Sequence, residues 1–167
     1  IFDSRQVEKG ALFIAISGDV HDGHTHIEDA INNGAVAVLC EKIPSSTQKN
    51  VTYVSCNSTR SALATVASCW YDNPSEGLKL VGITGTNGKT SVATMAYQLF
   101  HQMGYTAGLL STVEIRIADR LLPSTHTTPD ALTINKILRT MVDEGVTHCF
   151  MEVSSHGIDQ NRIDKIQ

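Results

Sequence analysis

Basic residues do not outnumber acidic ones in this chain. Thirteen Lys and Arg stand against 17 Asp and Glu, a net charge of −4 over 167 residues. That leaves out the global basic field of nucleic-acid binders, so no nucleic-acid partner is expected. An anionic ligand has to be held by loops, helix ends and single basic side chains. Aromatics are scarce, at 5%. Cys40, Cys56, Cys69 and Cys149 form no C-x-x-C pair, which argues against a disulfide framework or a zinc site and reads as free, buried thiols in a reducing cytosol. No apolar run reaches membrane length and no signal peptide is visible, so membrane insertion is not expected. What is present is enough apolar residue, 41%, for a packed core in one medium domain or two small ones. The chain opens at Ile1 without methionine and stops at Gln167 shortly after a strand-like run, and it reads as a piece of a longer protein.

Hydrophobic periodicity divides the chain in two, 1–76 and 77–167. In the first half, 11–16 (ALFIAI), 35–40 (AVAVLC) and 51–55 (VTYVS) read as strands. Residues 24–33 read as a helix ending at Gly34. A second helix follows, with Leu63, Val66, Ala67 and Trp70 on one face and Ser58 or Thr59 as N-cap. The polar stretch 71–77 (YDNPSEG) reads as a linker. In the second half, strand 78–84 leads into a helix over 90–103 with Val92, Met95, Ala96, Leu99 and Met103 on one side. A strand at 107–111, a hairpin-like excursion at 113–122, a helix capped by Thr128 and stopped by Gly145, and a strand at 147–153 complete it. The alternation predicts an α/β fold: a small N-terminal α/β domain, then the start of a P-loop-type central domain with a mostly parallel sheet covered on both faces.

The chemistry concentrates at Gly85-Thr86-Asn87-Gly88-Lys89-Thr90-Ser91. Strand, glycine loop, lysine, hydroxyl and helix together form a cradle for a nucleotide triphosphate. Glycines let backbone N–H groups turn toward phosphate oxygens, and the helix N-terminus adds partial positive charge. Lys89 can reach the terminal phosphates and Thr90 can ligate Mg²⁺, so ATP and Mg²⁺ are the expected cofactors. The general G-x-x-x-x-G-K-[ST] pattern is not met, because Ile83 stands where its first glycine belongs.

Glu152 ends an apolar strand and is followed by Val153-Ser154-Ser155-His156-Gly157. Ligands of parallel sheets gather at the C-terminal strand ends, so Glu152 can share the crevice of the phosphate loop and hold Mg²⁺; a solvated strand-end carboxylate is the plain alternative. His156 reads as packing or orienting rather than ligating. Thr127-Thr128-Pro129 opens a helix and suits either a second anion or a simple cap. Arg162 suits either an anion or the open surface. The His- and Asp-rich run 19–26 (DVHDGHTH) fits neither a structural zinc site nor an EF-hand, and reads as a loop leading into a helix.

Over essentially its whole length the chain resembles the Mur ligase family. DSR at 3–5, GALFIAISG at 10–18, DGH at 22–24 and NNGAVAV at 32–38 resemble the UDP-binding domain of members that add the third residue or the D-Ala-D-Ala dipeptide to muropeptide precursors. GITGTNGKT at 82–90 resembles the family's own short ATP loop. HTTP at 126–129 and the highly specific MEVSSHG at 151–157, continuing to Gln160 and Arg162, are similar to the third-residue ligases. A folylpolyglutamate synthetase shares a similar ATP loop but not the DSR…DGH domain, and a non-catalytic P-loop module has no use for Glu152 and the threonine pair.

The resemblance implies a bacterial cytoplasmic enzyme of peptidoglycan synthesis. ATP would phosphorylate the D-Glu side-chain carboxylate of UDP-N-acetylmuramoyl-L-alanyl-D-glutamate, and a diamino acid would attack the acyl phosphate. Lys89, Thr90 and Glu152 would be catalytic, with Thr90 holding one Mg²⁺ and Glu152 a second. Phe2, Ser4 and the Asp19-Val20-His21 loop would touch the uridine part. His126 (where the family often has Asn), Thr127, Thr128, Ser154, Gln160 and Arg162 would hold the muramoyl-peptide and pyrophosphate end. The family's carbamylated lysine and amino-acid-binding domain would lie beyond Gln167, so the 167-residue piece would show no turnover. meso-Diaminopimelate is expected over L-lysine only because it is common across bacteria. The sequence is silent on oligomeric state.

Overall fold

The computed structural model describes residues 1–18, 21–124 and 126–167. The chain divides into two compact units, 1–63 and 64–167.

The first unit is built on a three-stranded parallel sheet, β1 (Leu12–Ile14), β2 (Ala37–Cys40) and β3 (Thr52–Ser55), in the order β1-β2-β3. A 3₁₀ turn at Gly23–His26 leads into the short helix α1 (Ile27–Asn32), which ends at Gly34 with φ of 111°. Phe13, Ala15, Ile27, Ala30, Val38 and Cys40 form its core.

Helix α2 (Thr59–Trp70) is capped by Ser58, whose Oγ accepts from the Ser61 N–H at 3.3 Å. Its buried face is Leu63, Ala64, Ala67 and Ser68; Trp70, expected on that face, is 79% exposed. The stretch 71–77, expected to be a linker, is an ordered turn. Asp72 and Asn73 are left-handed, the Asn73 N–H donates to Ser68 O at 2.8 Å, and Pro74 and Ser75 are buried in a 3₁₀ turn.

The second unit carries a five-stranded sheet of β4 (Lys79–Ile83), β5 (Ala107–Leu110), β6 (Glu114–Ile117), β7 (Arg120–Pro123) and β8 (His148–Glu152), in the order β4-β8-β5-β6-β7. β4, β8 and β5 are mutually parallel; β6 and β7 form the expected hairpin and pair antiparallel. One face packs on α3 (Lys89–Gln102) through Ala93, Tyr97, Ala107, Leu109 and Phe150. The other packs on α4 (Ala131–Asp143) through Ile134, Leu138, Met141, Leu110, Cys149 and Met151. Sheet residues alternate between these faces because successive side chains of a strand point to opposite sides.

Two helical readings need correction. The stripe Val92, Met95, Leu99 and Met103 does lie along α3, but it is the exposed side. The contact with the sheet is made by the small Ala93 and by Tyr97, whose hydroxyl donates to Ala118 O at 3.0 Å. The cap of α4 is Asp130, not Thr128: its carboxylate accepts from the Thr133 N–H at 2.9 Å. All four cysteines are free; Cys40 and Cys149 are buried as expected, whereas Cys69 is exposed and Cys56 partly so. Burial alone pushes the Cys149 thiol up to about 12.

Candidate functional site

Parallel pairing places the ends of β4 and β8 side by side, with Ile83 opposite Glu152. The loop after β4 therefore turns over the end of β8. Gly85 has φ of 143° and Gly88 of 83°, both in the region open mainly to glycine, and Gly88 delivers the chain into α3. Lys89 Nζ donates to Gly85 O at 2.7 Å, closing the loop on itself. Thr86, Asn87 and Ser91 are exposed around it.

Glu152 is 1% exposed. Its Oε2 accepts from the Thr90 hydroxyl at 3.0 Å, and its Oε1 accepts from the Thr112 N–H at 2.7 Å. The Thr112 hydroxyl stands 3.2 Å from Oε2 and 3.0 Å from the Thr127 hydroxyl. Among the described residues, the partners of this buried carboxylate are thus two hydroxyls and one amide, with no basic side chain among them. A buried anion met only by neutral donors is poorly compensated. The site suits a hard divalent cation with oxygen ligands. The alternative of a solvated strand-end carboxylate does not describe Glu152.

The remaining predicted residues extend from the same strand end. Thr128 is 1% exposed and fully engaged: its hydroxyl donates to Glu152 O at 3.1 Å and accepts from the Ser154 N–H at 3.0 Å. Its side chain forms an internal brace between the β8 end and the 126–129 loop. Gly157 is needed beside it, since a Cβ there would stand 2.8 Å from Thr128 Cγ2. Ser154 caps α5 (Ser155–Asp159), accepting from the Gly157 N–H at 3.0 Å. Arg162 donates to Thr128 O at 2.6 Å and to Gln160 Oε1 at 3.0 and 2.7 Å, all neutral acceptors. Gln160 Nε2 lies 2.8 Å from His156 Nε2, so His156 orients Gln160. His126 is exposed at the mouth of the loop.

Lys89, Thr90, Glu152, Thr127, Thr128, Ser154, Gln160 and Arg162 are therefore gathered in the second unit. Phe2, Ser4 and His21 belong to the first. Asp19 and Val20 lie outside the described residues. Ser4 opens a 3₁₀ turn capped by Asp3, whose carboxyl the Arg5 guanidinium holds down at about 2. Thr112 was not singled out in the sequence. The signal for it is position: it follows β5, which pairs parallel with β8, so it lies at the same strand ends as Glu152.

Two family models match the chain: the Mur ligase family, catalytic domain, over residues 2–71, and the Mur ligase middle domain over 83–167. The chain belongs to the Mur ligase family. Among Mur ligases, it is 53% identical over 167 residues to a Cytophaga hutchinsonii protein named UDP-N-acetylmuramoyl-L-alanyl-D-glutamate--2,6-diaminopimelate ligase, covering 99% of this chain and 34% of the relative. A Phocaeicola vulgatus protein of the same name is 48% identical over 161 residues, covering 96% and 33%. A solved structure of a ligase so named superposes with a TM-score of 0.80 at 27% identity, over 99% of this chain and 33% of that one. The Mur ligase fold is seen again in a Thermotoga maritima MurF ligase crystallised with ADP, with a TM-score of 0.59, 20% identity and 93% and 31% coverage. The chain spans about a third of the length of these relatives. No helix among the described residues is long and apolar enough to cross a membrane.

Proposed function

We propose that the full-length protein is a cytoplasmic ATP-dependent ligase that adds meso-diaminopimelate to the D-Glu side-chain carboxylate of UDP-N-acetylmuramoyl-L-alanyl-D-glutamate in peptidoglycan precursor synthesis. The observation that carries this reading is the buried Glu152 carboxylate bonded to the Thr90 hydroxyl of the phosphate loop. The diaminopimelate-ligase names of relatives at 48 and 53% identity support the choice of amino acid over L-lysine.

A carboxylate is a poor electrophile. Transfer of the γ-phosphoryl group from ATP to the D-Glu carboxylate oxygen gives an acyl phosphate and ADP. The amine of the incoming amino acid then attacks the acyl carbon, the tetrahedral adduct expels inorganic phosphate, and the ammonium proton goes to solvent or a base. Charge builds on the transferring oxygens, so the loop N–H groups and Lys89 are the stabilising devices, and Lys89 has to exchange Gly85 O for a phosphate oxygen. Thr90 and Glu152 would hold Mg²⁺, which supplies charge neutralisation for the transferring phosphoryl group.

Residues 1–76 form the UDP-sugar domain in this reading and 77–167 the opening part of the ATP-binding domain. Phe2, Ser4 and the Asp19–His21 loop hold the uridine part. His126, Thr127, Ser154, Gln160 and Arg162 hold the muramoyl-peptide end, with Thr128 bracing them from beneath.

Phosphate release tests this in the full-length protein. With Mg-ATP and the UDP-linked dipeptide, release should depend on meso-diaminopimelate and not on L-lysine. Release with L-lysine alone would change the amino acid. Release with neither, in protein that still binds ATP, would overturn the third-residue assignment and favour the D-Ala-D-Ala-adding ligases.

A further inference from the structure

Thr112 belongs to none of the motifs that mark the ATP loop or the muropeptide end, yet it touches both sides of the site. Its N–H donates to Glu152 Oε1 at 2.7 Å, and its hydroxyl lies within 3.2 Å of Glu152 Oε2 and 3.0 Å of Thr127 Oγ1. The turn carrying it is fixed independently. Ser111 Oγ donates to Glu114 O at 2.9 Å and accepts from the Glu114 N–H at 3.1 Å, and Ser124 Oγ donates to Ser111 O at 2.7 Å.

We propose that Thr112 is a positioning residue that couples the metal-holding carboxylate to the substrate-side threonine; this rests on the ligase reading above. The direction of the hydroxyl chain follows from proton counting. An ionised carboxylate only accepts, and a threonine hydroxyl has a single proton and two lone pairs. When Thr112 donates to Glu152 Oε2, its oxygen accepts from Thr127, giving Thr127 to Thr112 to Glu152. Whatever reorients the Glu152 carboxylate then reorients the hydroxyl to which Thr127 is bonded. Cation binding and muropeptide binding share one chain and must help or hinder each other equally in their binding free energies.

Amide and hydroxyl are separable by mutation. Thr112→Val keeps the N–H and the branched shape and loses the hydroxyl, whereas Thr112→Ser keeps the hydroxyl. The experiment measures Mn²⁺ binding by electron paramagnetic resonance in the full-length protein with a non-hydrolysable ATP analogue, with and without UDP-N-acetylmuramoyl-L-alanyl-D-glutamate.

In the wild type, the dipeptide should tighten Mn²⁺ binding about fivefold or more. Thr112→Val should weaken Mn²⁺ binding about tenfold and abolish the tightening, while Thr112→Ser keeps both. Equal losses in the two variants, or wild-type behaviour in Thr112→Val, would overturn the proposal alone. A wild type without nucleotide-dependent Mn²⁺ binding would overturn it together with the ligase reading. Should Thr112→Val not fold, Thr127→Val, measured at a dipeptide concentration that saturates the variant, probes the same chain from its other end: loss of the tightening at saturation supports the coupling, and unchanged tightening overturns it.

Discussion

Two glutamates in this molecule are held in similar ways, each by the N–H and hydroxyl of one threonine, but they differ in what else they touch. Glu41, just after β2, accepts the Thr59 N–H and the Thr59 hydroxyl, both at 2.9 Å on Oε1. Glu152, at the end of β8, accepts the Thr112 N–H at 2.7 Å and has the Thr112 hydroxyl at 3.2 Å. The Glu41 cluster closes on itself. Thr59 Oγ1 also accepts from the Ser17 N–H at 3.2 Å, and the Glu41 N–H donates to His24 Nε2 at 2.9 Å. That fixes the His24 proton on Nδ1, 2.7 Å from Asp22 Oδ1. The DGH motif thus fastens the loop ahead of α1 to the end of β2. Glu152 is more deeply buried, and the further partner it takes is Thr90 of the phosphate loop. A threonine clamping a strand-end glutamate is therefore a common brace. What sets Glu152 apart, and carries the role proposed for it, is its contact with Thr90 at the end of the parallel sheet.

The largest effect expected from breaking this comparison is at Glu152. Glu152→Gln is nearly isosteric and should leave the melting transition close to wild type while lowering diaminopimelate-dependent phosphate release on the order of 10²–10³-fold. A Glu152→Gln protein with full turnover would reduce Glu152 to a second brace.

Glu41→Ala should do the reverse. Thr59 is 0% exposed, so its N–H and hydroxyl lose a buried acceptor. Denaturant unfolding should show a loss of about 1–3 kcal/mol, with turnover of the folded protein within about twofold. A comparable fall in turnover of folded protein would place Glu41 in the chemistry.

A smaller effect is its pH dependence. The Thr59 N–H, more than any other group, holds the Glu41 carboxyl below the usual carboxylate range. A carboxyl lowered by folding adds stability above its unfolded value and loses it as the pH falls through the folded one. Stability should therefore fall on acidification through that window, and Glu41→Ala should flatten the fall. The smallest effect is that of Asp3, which Arg5 holds at about 2. Its surface pair adds a little stability above the ordinary carboxyl value and loses it as the pH falls toward about 2, so Asp3→Asn should be slightly less stable than wild type at neutrality, with the difference vanishing on acidification to that value. A difference that persists below it would contradict this.

Local signals were legible in the sequence. The glycine-rich loop at 85–88, the Gly34 and Gly145 stops, the 113–122 hairpin and the strand ending at Glu152 each depend on residues adjacent in the chain, and the parallel pairing of β4, β8 and β5 follows from alternating strands and helices, though their order does not. Where the sequence misled, tertiary packing decided. Periodicity finds a stripe on α3 but not which side meets the sheet, and there Ala93 permits a close approach that the larger Val92 and Met95 do not make. Trp70 falls at helical spacing with Leu63 yet lies at the exposed end of α2. Thr128 stands where a cap belongs, but Asp130 takes the cap and frees Thr128 to bridge to Glu152 O. Thr112 stayed hidden because its partner is 40 residues away, joined only by strand pairing.

The most direct test of the Glu152 site is calorimetric binding of a non-hydrolysable ATP analogue with and without Mg²⁺, in full-length wild type, Glu152→Gln and Glu41→Ala. Mg²⁺ should tighten nucleotide binding in the wild type and in Glu41→Ala, and should lose most of that effect in Glu152→Gln. An equal Mg²⁺ effect in all three proteins would contradict the assignment of Glu152 as the metal-holding carboxylate.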